Sequence, residues 1–265
     1  MITINDITTY LETIAPPHLQ ESYDNAGLIV GNPATKVTGV LASLDCTETI
    51  IEEAKARGCN LVVAHHPIVF RGLKRLNGST YVERTVIKAI REDVAIYAIH
   101  TNLDNVRFRG VNERIAQTLG LENLRLLKPK NEEGTVGSGM VGELPAALRE
   151  TDFLRLVQEK MQTGVIRHTA LLDQPVRTVA VAGGAGGFLL SSALDAGAQV
   201  FVTADYKYHE FFDADGRIVI ADIGHYESEQ YTTQLLAELL SSEFSTFAVL
   251  CTERTTNPVR YFFSR

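Results

Sequence analysis

The chain has 265 residues, 45% of them hydrophobic and 22% charged, with a formal net charge of -7. That length suits about two domains at roughly 150 residues each, and the composition excludes wholesale disorder, collagen-like repeats and fibres. Thirty-two acidic against 25 basic residues also argue against a nucleic-acid binder that works by neutralising phosphates.

Ile4, Ile7, Tyr10, Leu11 and Ile14 recur at helical spacing, and Pro16-Pro17 end that helix. The stretch ESYDNAGLIVG (21–31) follows, with Asp24-Asn25-Ala26-Gly27 reading as a turn. Val37 to Asp45 reads as a strand and Glu48 to Arg57 as a helix, with Gly58 placed for the left-handed position past its end. Leu61 to Ala64 is wholly apolar, as in a strand covered on both faces. Helix Val82–Glu92, strand Val94–Ile99 and helix Val111–Leu119, closed by Gly120, complete parallel βαβ units. About Lys128 to Gly142 the chain turns rich in Lys, Glu, Asn and Gly, reading as a loop that leads into a strand over 136–141. Thr151 is the expected N-cap of a helix over Asp152–Met161.

The second half then repeats the first. With Val37 placed on Val176, 139 positions on, Ala54 meets Ala193, Gly58 meets Gly197 and Val63 meets Val202. With a shorter connection, the strand ending at His100 matches the one ending at Asp222. This is an internal duplication of an α/β unit.

Cys46, Cys59 and Cys251 form no CxxC and fit no zinc or redox spacing, so they read as small apolar side chains in a reducing cytoplasm. The N-terminal MITINDITTYLE lacks the basic start and apolar run of a secretory leader. No stretch of about 18 apolar residues exists to span a membrane. Arg71, Lys74 and Arg75 form a small basic cluster, a solvated loop on the plain reading and an anion site on the other.

The chemistry concentrates just past strands. His65 and His66 (VVAHHP), His100 (IHTNLDN) and His225 (IGHYESE) all follow expected strands, where parallel α/β sheets bind ligands. Asp104 lies four residues past His100, in the following loop, and Glu229 lies four residues past His225, one turn along if a helix starts there. Each pair alone has a plainer reading as a turn or helix cap. Together they bring three His, one Asp and one Glu to one sheet edge from both halves. Nitrogen and carboxylate donors without thiolate suit Zn, Mn, Fe or Ni. Five ligands exceed the three of one catalytic zinc and suit two divalent cations bridged by a carboxylate such as Glu229, which would bring water toward ionisation at neutral pH. The competing feature is VAVAGGAGGF (179–188), a glycine loop between strand and helix that could bind phosphate. Its GxGxxG pattern fails at Leu189, so a tight packing turn is the plainer reading.

ESYDNAGLIVG (21–31), VVAHHPIVF (62–70), IHTNLDN (99–105), AGGAGG (182–187), VTADYKYHE (202–210) and IGHYESE (223–229) occur in the order seen in one family. The chain resembles the GTP cyclohydrolase I type 2 family, the Nif-three-like dinuclear metal proteins, over nearly its whole length. The resemblance implies His65, His66, Asp104, His225 and Glu229 as ligands of two cations. It implies two intertwined, duplicated α/β domains with mostly parallel mixed sheets. Here these are placed over 1–125 plus about 240–265 and over 126–239, without the regulatory domain that some members insert. It also implies a ring-shaped homohexamer and GTP cyclohydrolase-like chemistry, hydrolysis at purine C8 with release of formate. His100, Asp205 and His209 are candidate proton-moving residues, each with a plainer reading as a partner that orients a ligand. The leading expectation is thus a cytoplasmic dinuclear metal-dependent hydrolase acting on a nucleotide or related small molecule. The alternative is a non-catalytic metal-handling or scaffold protein.

Overall fold

The structure, a computed structural model, describes residues 1–262. The chain forms two compact units, one of 1–103 with 232–259 and the other of 104–231 with 260–262. The junctions between the units fall at 103/104 and 231/232. The helix over 111–118 and the strand after it pack on the second unit's sheet, and the helix over 232–243 packs on the first unit's strands.

The first unit opens with helix α1 (Ile4–Ile14), started by a reciprocal cap in which Thr3 and Asp6 bond each other's backbone N–H. There follow β1 (Gly27–Val30), β2 (Gly39–Ser43), α2 (Glu48–Ala56), β3 (Leu61–Ala64), α3 (Tyr81–Glu92), β4 (Ala95–Ala98) and the one-turn helix α4 (Thr101–Asp104). The second unit holds α5 (Val111–Thr118), β5 (Glu122–Pro129), β6 (Gly137–Leu148), α6 (Glu150–Lys160) and β7 (Arg167–His168). It continues through β8 (Val176–Val181), α7 (Leu190–Asp195), β9 (Val200–Thr203), β10 (Val219–Asp222) and α8 (His225–Glu229). The chain then returns to the first unit with α9 (Thr232–Glu243) and β11 (Ala248–Cys251).

Each unit has its own mixed sheet. The first runs β1-β4-β3-β2-β11, all neighbours parallel except β1 against β4. The second runs β5-β6-β8-β9-β10-β7, with β8, β9 and β10 parallel and the flanking pairs antiparallel. Leu41, Ile50, Ile51, Val62 and Ile96 centre the first core, and Val141, Leu189, Ala193, Phe201 and Ile220 the second. Among the described residues, no helix is long and apolar enough to cross a membrane. The three cysteines are free thiols, and burial pushes the Cys46 thiol well above its ordinary range.

The duplication extends to individual hydrogen bonds. Cys59 N–H bonds Ala54 C=O, and Ala198 N–H bonds Ala193 C=O. Between them Gly58 and Gly197 take φ of 75° and 71°, the left-handed turn that favours glycine. The side-chain oxygen of Asn60 caps Thr38 N–H, and that of Gln199 caps Arg177 N–H.

The expected loop leading into a strand over 136–141 is present, with a strand before it that was not expected, and one helix start is corrected. The segment after Lys128 is the turn of a long hairpin, because β5 and β6 pair antiparallel and close at Pro129 and Gly137. β5 has no alternating pattern to reveal it, and its register is broken near Asn123, which takes φ 53°. Thr151 is inside α6, whose N-cap is Arg149. The helix starts earlier because the buried Glu150 carboxylate accepts from the N–H groups of Leu172 and Asp173.

Candidate metal centre

In the first unit, β3 ends at Ala64 and delivers His65 and His66, and β4 ends two residues before His100. His65 is fully buried, with Nδ1 2.8 Å from the carbonyl oxygen of Ile99. A carbonyl only accepts, so Nδ1 carries the proton and Nε2 the lone pair. His66 Nδ1 donates to Asp45 Oδ1 at 2.8 Å, and His100 Nδ1 to Asp24 Oδ1 at 2.8 Å. Neutral His66 and His100 therefore also present Nε2. The three rings lie with centroids 4.9 to 5.3 Å apart, and their ligand atoms fall within 4.8 Å of one another.

The two carboxylates behind these rings are firmly ionised. Burial alone would raise Asp24, but hydrogen bonds from His100 and Thr101 hold it far below the ordinary carboxylate range. Burial likewise opposes ionisation of Asp45, and the bonds from His66 and Thr256 outweigh it. Asp24 also accepts from the backbone N–H of Thr101, which anchors the 21–31 segment beside His100. The Phe70 and His100 rings lie nearly perpendicular, with centroids 5.5 Å apart. The chain then runs into an exposed loop bearing Arg71, Lys74 and Arg75.

In the second unit, β10 ends at Asp222 and Gly224 turns the chain at φ 91° into α8, which His225 opens and Glu229 closes. His225 Nδ1 donates to Asp205 Oδ2 at 2.7 Å, and Nε2 lies 3.1 Å from Glu229 Oε2. Burial would push the His225 imidazolium pKa down, but the hydrogen bonds and charges of Asp205 and Glu229 raise it to about 11. The same bond to His225 lowers the Asp205 carboxyl. Glu229 is buried. Asp104 is half-buried, at the last residue of α4 rather than in an open loop.

The glycine loop serves this arrangement. The N–H of Gly183 donates to Asn112 Oδ1, that of Gly184 to Ser228 Oγ and that of Gly186 to Thr203 Oγ1. These donors are therefore already engaged and cannot also cradle a phosphate. A Cβ at Gly184, where φ is 58°, would lie 2.6 Å from Glu229 Oε1 and 3.1 Å from His225 Cε1. The loop is bare because Glu229 and His225 press against its backbone.

The proton-moving candidates separate. His100 stands in the triad with His65 and His66. Asp205 is the partner that orients His225. His209 is exposed, has its ring contacts with Tyr208 and Phe212, and joins none of the donor groups. Asp24 and Asp45 are hydrogen-bond partners of His100 and His66 that the sequence does not single out. Asp45 lies just past β2, the same kind of position that drew attention to the histidines, and Asp24 sits in the segment read only as a turn.

The donor chemistry fits a divalent cation. Four imidazoles are clamped at Nδ1 by a carbonyl or a carboxylate, the arrangement that fixes tautomer and ring orientation behind a metal. The His, Asp and Glu groups could hold a metal, and no thiolate is among them.

The family model described as Duf34/NIF3 (NGG1p interacting factor 3) matches residues 2–258. A Clostridium perfringens protein named GTP cyclohydrolase 1 type 2 homolog is 33% identical over 227 residues, 85% of this chain and 86% of the relative. A Lactococcus lactis protein of the same name is 32% identical over 256 residues, 96% and 98% of the two chains. The crystal structure of a hypothetical protein of Staphylococcus aureus superposes with a TM-score of 0.90 at 28% identity, covering 98% of this chain and 99% of that one.

Proposed function

The chain belongs to the Duf34/NIF3 family, and from that premise we propose that it is a dinuclear metal-dependent hydrolase acting on a nucleotide or related small molecule. His65, His66, Asp104, His225 and Glu229 are the ligands of this proposal. The observation that carries it is the common orientation of His65, His66 and His225, each held at Nδ1 so that its neutral form offers Nε2. When bound, divalent cations supply Lewis acidity and a water of lowered pKa. This chain's own residues do the rest. Asp45 and Asp205 orient His66 and His225. His100, held at Nδ1 by Asp24, is the proposed group to take or give a proton at Nε2. The Phe70 ring packs perpendicular to that of His100.

The name GTP cyclohydrolase 1 type 2 homolog belongs to the relatives, and for this chain GTP is the first substrate to try. The proposed setting is a cytoplasmic ring-shaped homohexamer, which light scattering after size exclusion would check. The first test is metal content per chain by elemental mass spectrometry, on wild type and Glu229→Ala. Two equivalents in wild type with a marked loss in the variant support the site. One or none after reloading removes it. Formate release from GTP, against a nucleotide panel and an active control enzyme, then tests hydrolysis.

A second reading, metal storage or delivery, draws on one observation. The side chains of His225 and Asp205 are 40% and 49% exposed, which leaves this part of the donor set open to exchange. It predicts rapid loss of metal to chelators, and retention through long dialysis against EDTA counts against it.

A further inference from the structure

Asp104 and Glu229 are far apart in sequence, and a bridge of hydrogen bonds within the second unit joins their supports. Asn112, in the first turn of α5, is 5% exposed. Its Nδ2 donates to the backbone carbonyl of Asp104 at 2.9 Å. Its Oδ1 accepts from the N–H of Gly183 at 2.9 Å. A Cβ at Gly183 would lie 3.1 Å from Glu229 Cγ, so the backbone held by Asn112 is the surface on which the Glu229 stem rests. One residue on, Gly184 N–H donates to Ser228 Oγ, whose hydroxyl donates to the His225 carbonyl at 2.8 Å. Just past Asp104, the buried Asn105 accepts from Ser138 Oγ and Lys130 Nζ at 3.0 Å each, which anchors the chain from the other side.

We infer that Asn112 is a positioning residue for the metal centre, setting the separation of the Asp104 and Glu229 carboxylates by holding the Asp104 backbone with one amide atom and the Gly183 backbone with the other. The chemistry demands a neutral amide. A primary amide donates from its nitrogen and accepts at its oxygen whatever the pH, and Gln is one methylene too long for the same two bonds. An ionised Asp would keep the bond to Gly183 and set a negative oxygen against the Asp104 carbonyl. The inference rests on the metal-dependent reading above, and it concerns groups that sequence spacing does not connect.

The test compares wild type, Asn112→Asp and Asn112→Ser, using competition of Zn²⁺ and Mn²⁺ against a chromogenic chelator and thermal midpoints of the metal-free proteins. The expected result is a roughly ten- to hundred-fold loss of affinity for one of two cations in both variants, the other cation held near wild-type strength. The metal-free midpoints are expected to fall by only a few degrees. A residue with a merely structural role would lower the metal-free midpoint and leave the affinity of the folded protein unchanged, and that result overturns the inference. Failure of both variants to fold overturns it too, since Asn112 would then be a folding determinant. Wild type that binds no metal sinks the metal-dependent reading itself, whereas wild type and variants binding two cations alike sink this inference alone.

Discussion

Asp45 holds two partners at once. Its Oδ1 accepts from His66 Nδ1 at 2.8 Å and its Oδ2 accepts from the Thr256 hydroxyl at 2.6 Å. Asp45→Asn keeps the shape and removes the charge that strengthens the bond to His66. Metal affinity is expected to fall roughly ten- to hundred-fold, read by chelator competition, while the far-ultraviolet circular dichroism stays that of wild type. Unchanged affinity would mean that Asp45 serves Thr256 and the 252–259 segment alone.

Gly184→Ala meets two penalties. The residue has φ 58°, which costs a non-glycine residue about 1–2 kcal/mol. The new methyl would also sit 2.6 Å from Glu229 Oε1. Urea unfolding is expected to show a loss of at least about 1 kcal/mol, and metal content should drop with it. Gly197→Ala shares the left-handed backbone but meets nothing within 4 Å, so it should lose stability and keep its metal.

Glu53 gives the first unit an acid-sensitive anchor. Its carboxylate accepts from Arg57 Nη1 at 2.7 Å, from the Thr252 hydroxyl and from Glu253 N–H at 2.9 Å, tying α2 to the end of β11. Burial would raise its pKa, but these bonds outweigh it and lower it. A lowered carboxyl contributes stability in full above the unfolded value of about 4.3 and loses it as pH falls through the folded value. Glu53→Gln is expected to cost about 2 kcal/mol at neutral pH. Below about pH 4 the two stability curves should converge. Parallel curves from pH 7 to 3 would rule out this anchor.

Phe201 is fully buried at the centre of the second core. Phe201→Ala should cost about 3–5 kcal/mol, with Ile50→Val in the first core costing about 1. Guanidinium titrations monitored by circular dichroism would read both.

Legibility followed the range of the physics involved. Local rules carried α1, α2, β3, α3 and α5, since amphipathic spacing, the glycines at 58 and 120 and the apolar run 61–64 are all written within one element. The hairpin of β5 and β6 was illegible because its pairing is long-range and β5 has no alternation of its own. The start of α6 was missed for the same reason, since the partners of Glu150 lie at Leu172 and Asp173. At the centre, the histidines declared themselves by their place after strands. Asp24 and Asp45 did not, because a lone Asp past a strand reads equally as a turn, and its pairing with His100 or His66 is a tertiary event.

β11, which pairs with β2, is among the last elements made, although β2 is among the first. On the ribosome the edge of β2 therefore stays open while residues 104–231 emerge and can close their own sheet. An open parallel edge invites wrong pairing until its partner arrives. A product stalled before β11 would thus hold the whole second sheet and a first sheet with an uncovered strand.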